Sequence, residues 1–227
     1  MISKLPPWVE VGGFVLAFIA GSVNAIGLLG FEHQAVSHLT GIWTLLGLQI
    51  ENQGWSAISH LVLIVLSFVL GAALSGLIVR DAALRLGRRY GVALLVESAL
   101  LFGAMFALNL GSKSGHLLAS AACGLQNALA STFSGAVVRT THVTGLFTDL
   151  GIMIGSFLRG LRVDKRRVKL YLLLILGFIS GVASGGLVYG RFAFTALALP
   201  ASLALALSLS YWLYWWFSAK AGAAVSP

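Results

Sequence analysis

The sequence predicts an all-α integral membrane protein of six transmembrane helices plus two short re-entrant or broken half-helices, set out as an inverted 3+3 internal repeat. Three observations predict it. Hydrophobic residues make up 58% of the chain and charged residues 10%, whereas soluble domains carry about 45–50% and about 25%. A soluble fold cannot keep that much apolar surface from water, so lipid must be the solvent for most of the chain. The second observation is a phrase that occurs twice, as Ser37-His38-Leu39-Thr40-Gly41-Ile42-Trp43-Thr44-Leu45-Leu46-Gly47 and as Thr141-His142-Val143-Thr144-Gly145-Leu146-Phe147-Thr148-Asp149-Leu150-Gly151. His, Thr, Gly, Thr, Leu and Gly recur identically, the other positions recur in kind, and only Leu45 against Asp149 breaks the match. An echo upstream of each phrase, Gly21-Ser22-Val23-Asn24-Ala25 and Gly124-Leu125-Gln126-Asn127-Ala128, extends the duplication. The third is the crowding of Lys and Arg into two loops, which fixes how many stretches cross.

In chain order the apolar stretches are Val11–Phe31, Val36–Ile50, Leu61–Val79, Val92–Leu110, Leu117–Val138, His142–Leu158, Leu170–Tyr189 and Phe192–Phe217. Six are long enough for a hydrocarbon core of about 30 Å. Val36–Ile50, at about 1.5 Å per residue, covers only about 22 Å, and His142–Leu158 is marginal. Both short stretches carry the repeated phrase. Arg80, Arg85, Arg88 and Arg89 follow the third stretch, and Arg159, Arg162, Lys165, Arg166, Arg167 and Lys169 follow the sixth. Both loops are cytoplasmic by the positive-inside rule, yet three stretches separate them, so one of the three must fail to cross. The sixth is the weakest, and the repeat extends the same reading to the second. The N- and C-termini then lie in the cytoplasm, and the halves, 1–111 with half-element 36–50 and 112–227 with half-element 142–158, run in opposite senses.

Smaller features fit this frame. Gly177, Gly181 and Gly185 form a stripe that lets helices approach closely in lipid. Tyr211-Trp212-Leu213-Tyr214-Trp215-Trp216-Phe217 is expected to be an interfacial anchor, and Pro200 is expected to kink the last span. The net charge of +8 lies between apolar runs, as topology determinants do, which argues against nucleic acid as a partner. The single Cys123 cannot form an internal disulfide. The N-terminus, with Lys4, Pro6-Pro7 and then a long apolar run, reads as an uncleaved first span.

At Asn24-Ala25 with Ser37-His38-Leu39-Thr40-Gly41, and at Gly124-Leu125-Gln126-Asn127-Ala128 with Val138-Arg139-Thr140-Thr141-His142-Val143-Thr144-Gly145 and Asp149-Leu150-Gly151, the sequence resembles the YoaK-like family. These are uncharacterised bacterial inner-membrane proteins grouped as a domain of unknown function, and the likeness covers nearly the whole chain. The resemblance implies an integral protein of the bacterial inner (plasma) membrane and assigns no activity. The family often has Val-Asp-Ala where this chain has Val23-Asn24-Ala25, so this chain lacks an acid there.

The candidate site follows from the cost of polar groups in hydrocarbon. A half-helix inside the bilayer must be shielded by protein or line water, and two half-helix N-termini meeting near the midplane suit an anion, a polar solute or a charge-balanced cation. The substrate-binding candidates are Asn24, His38, Thr40, Gln126, Asn127, His142, Thr144 and Asp149. Asp149, His38, His142 and Glu97 are the candidates for proton coupling. Most have a structural counter-reading: the histidines secure the helix break, Asp149 pairs with Arg139 or is a solvated acid on the cytoplasmic side near Arg159, Glu97 pairs with Arg88 or Arg89, and the two asparagines bond each other across the pseudo-twofold axis. His33, His60 and His116, at span ends, are expected at the interface. Two histidines without a matching Cys or Glu make no metal site, and no cofactor is implied. The leading expectation is a small-solute or ion transporter or channel with the lipid bilayer and a small polar solute or ion as partners. A homo-oligomer is compatible with it. The alternatives are a membrane scaffold or partner subunit and, less favoured, a membrane enzyme, for which His, Thr and Asp are the only raw material.

Overall fold

Long apolar runs in lipid leave every backbone N–H and C=O to be satisfied within the segment, and the chain does so as helices. The structure, a computed structural model, describes residues 8–30, 36–51, 54–79, 88–134 and 140–223. The helices are α1 (Trp8–Gly30), α2 (Leu39–Glu51), α3 (Trp55–Ile78), α4 (Arg88–Asn109), α5 (Ser114–Ser134), α6 (Val143–Leu158), α7 (Lys165–Phe192) and α8 (Ala198–Ala223), with a 3-10 turn at Ala193–Leu197 before α8. There is no strand among the described residues. The basic loop holding Arg80 and Arg85 lies outside them.

Local chemistry sets the ends. The Asp164 carboxylate accepts from the backbone N–H of Arg166 at 2.9 Å and of Arg167 at 3.3 Å, capping α7. Gly111, at φ 75°, allows the tight turn between α4 and α5. Ala193 is the one non-glycine with positive φ among the described residues, and it marks the break after α7. Pro200 corrects an expectation. It is the third residue of α8, within the first turn, where the missing N–H breaks no helical bond, so it does not kink the span.

The contacts fix the direction of each long helix. Gly177, Gly181 and Gly185 of α7 lie against the carbonyls of Phe14, Phe18 and Ser22 of α1, so the two helices run parallel. In α3 and α5, Ser120 Oγ donates to Ile64 O at 2.9 Å and Gly124 lies against Phe68 O, again in parallel. Ser208 Oγ donates to Gly91 O at 2.7 Å and Ser98 Oγ to Ala201 O at 2.8 Å, so α4 and α8 are antiparallel. α1 is antiparallel to α8, with Gly12 beside Tyr211 and Gly30 beside Phe194 of the 3-10 turn that leads into α8. α4 is antiparallel to α5, with Gly103 beside Leu118 and Gly115 beside Leu108. Hence α1, α4 and α7 run one way and α3, α5 and α8 the other. α1 and α3 oppose each other although α2 lies between them in sequence, and α5 and α7 do so across α6.

The two tightest seams are built alike. At α1/α7, Gly21 meets the Phe178 carbonyl and Gly181 meets that of Phe18; at α3/α5, Gly124 meets the Phe68 carbonyl and Gly71 meets that of Ala121. Only a residue without Cβ permits backbones this close, and van der Waals packing then does what the hydrophobic effect cannot do in lipid. The interior collects Ile19, Val23, Ile26, Leu101, Cys123 and Leu197. Outward faces carry large apolar side chains such as Leu70 at 68%, Leu77 at 73% and Leu187 at 75% exposure, the inverse of a water-facing surface.

Among the described residues four segments are long and apolar enough to cross a membrane: Val9–Gly30, Trp55–Ile78, Arg89–Asn109 and Lys165–Trp216, the last containing α7 and most of α8. α5 is not among them. It carries His116, Ser120, Gln126 and Asn127, all buried, so its polarity faces the protein and its length is that of a span. α2 and α6 are the short apolar helices, of 13 and 16 residues.

Candidate functional site

The repeated phrase begins as an anchor. Asn24, on α1, donates through Nδ2 to Ala20 O at 2.8 Å, and its Oδ1 accepts from Ser37 Oγ at 2.8 Å. Asn127, on α5, donates through Nδ2 to Thr141 Oγ1 at 2.7 Å. Each duplicated asparagine therefore holds the first residue of the phrase that follows it and pins the start of α2 or α6 to the preceding helix. The expected bond between the two asparagines is replaced by one within each half. All four residues are buried.

Further on, the phrase makes a short helix that packs on one side. Ile42 and Leu46 of α2 meet Leu61 and Ile64 of α3; Leu146 of α6 joins Leu170, Leu174 and Ile175 of α7. Thr44 Oγ1 donates back to Thr40 O, and Thr148 Oγ1 to Thr144 O, both at 3.0 Å. Thr40, Thr144, His38 and His142 are exposed. His38 stacks on Phe178 of α7, ring centroids 6.4 Å apart and planes 18° apart, a contact between the halves. His142 is the N-cap residue of α6 and makes no side-chain capping bond. Gly41, Gly47, Gly145 and Gly151 all face open space.

Asp149 sits in an ionic cluster at the start of α7. Tyr171 Oη donates to Asp149 Oδ2 at 2.8 Å, Arg167 Nε donates to that Tyr171 oxygen at 2.9 Å, and Arg167 Nη2 lies 3.5 Å from Asp149. The partner is thus Arg167; Arg139 lies outside the described residues. Nearby, Glu10 of α1 bridges Lys169 Nζ at 2.7 Å and Arg166 Nε at 3.2 Å. The Asp149 side chain is 41% exposed, so this pair contributes at most about 1 kcal/mol.

The remaining candidates lie in the interior. Gln126 Nε2 donates to Leu16 O of α1 at 2.8 Å. Glu97, on α4, is 1% exposed and its Oε2 has no partner among the described residues. It makes no ion pair with Arg89, and the side chain of Arg88 lies outside the described residues. The site residues therefore fall into three groups: buried anchors (Asn24, Asn127, Gln126), the exposed starts of the half-helices (His38, Thr40, His142, Thr144), and two acids in separate places (Asp149, Glu97). No group of three or more His, Cys, Asp or Glu that could hold a metal occurs among the described residues.

The sequence reading missed several contacts. His60 and His116, expected at the interface, meet each other at 2.9 Å between α3 and α5, and His116 is buried. Ser22 Oγ, which donates to Phe18 O at 2.9 Å, also lies 3.1 Å from Gly181 O of α7. The signal for such links was a serine beside a glycine stripe, which marks a close seam able to accept a hydroxyl.

Apolar helices of membrane length, apolar outer faces and an interior joined by small residues and buried hydroxyls define an all-helical membrane protein. The chain belongs to the DUF1275 family, proteins of unknown function, whose profile matches residues 12–210. No curated protein and no solved structure matches the chain.

Proposed function

We propose that the chain is a small-solute or ion transporter or channel of the bacterial inner membrane, built as an inverted 3+3 repeat. In this reading α1, α3, α4, α5, α7 and α8 cross, α2 and α6 dip without crossing, and both termini are cytoplasmic. One observation carries it: α1 opposes α3 and α5 opposes α7, although a helix intervenes in each case. At about 1.5 Å per residue, α2 and α6 reach only about 20 and 24 Å, short of a core of about 30 Å. The matched seams around Gly21/Gly181 and Gly124/Gly71 support the repeat. Half-helices paired by inverted symmetry are a recurrent way to build a solute site at membrane depth.

The half-helices carry the solute-contacting groups. His38, Thr40, His142 and Thr144 are exposed at the starts of helices too short to span, beside glycines that face open space. Asn24, Asn127 and Gln126 hold those helices and their neighbours in place. A proton-coupled cycle belongs to this reading, with Asp149, His38, His142 and Glu97 as the groups able to exchange a proton. The test is flux into proteoliposomes of purified protein across a panel of small polar solutes and inorganic ions, with His38→Ala/His142→Ala as the comparison. Flux by the wild type that the double variant loses supports the proposal. Absence of flux across the panel overturns it in favour of a membrane scaffold or partner subunit, for which the buried Asn24–Ser37 and Asn127–Thr141 bonds are sufficient as purely structural links.

A further inference from the structure

Between α1, α4, α5 and α8 lies a cavity of about 40 Å³, bordered by Leu16, Tyr90, Leu94, Leu129, Leu207 and Tyr211 and large enough to admit water. Glu97 follows Leu94 by three residues on α4, about 4.5 Å farther along the helix axis. On α5, Gln126 likewise precedes Leu129 by three residues, and its amide ties the helix to the Leu16 carbonyl of α1. Beyond the cavity, therefore, the interior holds an acid. Its Oε2 has lost water and has gained no donor among the described residues. A buried carboxyl oxygen in that condition is among the costliest groups a membrane interior can hold, and it calls for a positive partner.

We propose that Glu97 binds an exchangeable monovalent cation, a proton or a sodium ion, which reaches it through this cavity. The bound cation supplies the partner that Oε2 lacks. Among the described residues, the elements packed on α4 offer no competing charge at this depth. α5 presents the buried thiol of Cys123, which lies within electrostatic reach of Glu97, and carries His116 near its far end. α8 carries Tyr211 at the cavity, with Tyr214 beyond; the 3-10 turn has no titratable residue, and α3 has only His60 near its start. On α4 itself Tyr90 borders the cavity. Asp149 is a poorer candidate, because Tyr171 and Arg167 already satisfy it. The role of Glu97 in coupling rests on the transport reading; cation binding itself does not.

The test uses the intact protein in detergent and the apolar reagent dicyclohexylcarbodiimide, across which a protonated carboxyl adds to leave a stable N-acylurea. Peptide mass spectrometry reads the modified residue. The expected result is modification of Glu97 approaching one per chain, with a rate that falls about tenfold per pH unit above a single midpoint, as the protonated fraction does. Protection by sodium chloride, but not by choline chloride at equal ionic strength, assigns sodium as a competing ligand; the pH effect alone assigns the proton. An unmodified Glu97, or a rate unchanged by pH and by sodium, overturns the proposal. Glu97→Gln, monodisperse on gel filtration, is the blank, and the wild-type measurement stands if that variant fails to fold. Labelling without flux in proteoliposomes leaves the cation site and removes the transport reading; flux without labelling does the reverse.

Discussion

Replacing Gly181 by alanine attacks the α1/α7 seam where it is tightest. The added Cβ runs into the backbone carbonyl of Phe18, and backbone cannot rotate away as a side-chain tip does. Overpacking of this kind costs about 1–3 kcal/mol. Pushing the helices apart also strains the contact between Ser22 Oγ and Gly181 O at 3.1 Å, a bond worth about 0.5–1.5 kcal/mol. Against this, alanine gains about 1 kcal/mol of helix propensity. The balance is a loss of about 0.5–3.5 kcal/mol, and at about 2–4 °C per kcal/mol for a chain of this size Tm falls by about 1–14 °C. Cys123 is the only cysteine and is buried, so a thiol-reactive fluorophore that reports its exposure on heating measures Tm in detergent without further labelling. Gly151→Ala on α6 is the control: its Cβ meets open space, and helix propensity alone predicts a rise of about 2–4 °C. Equal Tm changes for the two variants would refute the claim that backbone proximity, rather than glycine content, makes the seam.

Other outcomes follow from the same geometry. Asn24→Ala removes the link from α1 to Ser37 and leaves that hydroxyl buried, costing about 1–3 kcal/mol, seen as earlier Cys123 exposure in the same melt; Asn24→Asp tests whether an acid can hold Ser37 as well. Asp149→Asn keeps an oxygen for the Tyr171 hydroxyl and changes stability by less than about 1 kcal/mol, with the difference vanishing in high salt. If flux is proton-coupled, Glu97→Gln flattens its pH profile, measured in proteoliposomes across a pH series. Gly71→Ala, which meets the Ala121 carbonyl, lowers Tm as Gly181→Ala does; a seam that tolerates it would break the correspondence between the halves.

What the sequence disclosed and what it hid have physical reasons. Helices were legible because hydrocarbon imposes one solution on a long apolar segment, and α2 and α6 fall within a few residues of the short stretches read from the repeat. α5 was legible by length, though its buried polar side chains lower its hydropathy. The phrase was visible as a duplication, but the bonds at its start run from Asn24 to Ser37 and from Asn127 to Thr141, residues 13 and 14 apart that only the fold brings together. Asp149 found Arg167 and Tyr171 because α6 lies along the start of α7, a contact that spacing does not encode. Pro200 was misread because the 3-10 turn, which places it in a first turn, leaves no mark on hydropathy.

The central claim is that α2 and α6 enter the membrane without crossing it. A Cys123→Ala protein carrying Lys113→Cys or Arg162→Cys, treated in intact cells with a membrane-impermeant maleimide, tests it most directly. The account predicts that the cysteine at 113 reacts from outside and the one at 162 reacts only after the cells are opened. Reaction of both in intact cells would mean that α6 crosses, and would contradict the arrangement on which the proposed site depends.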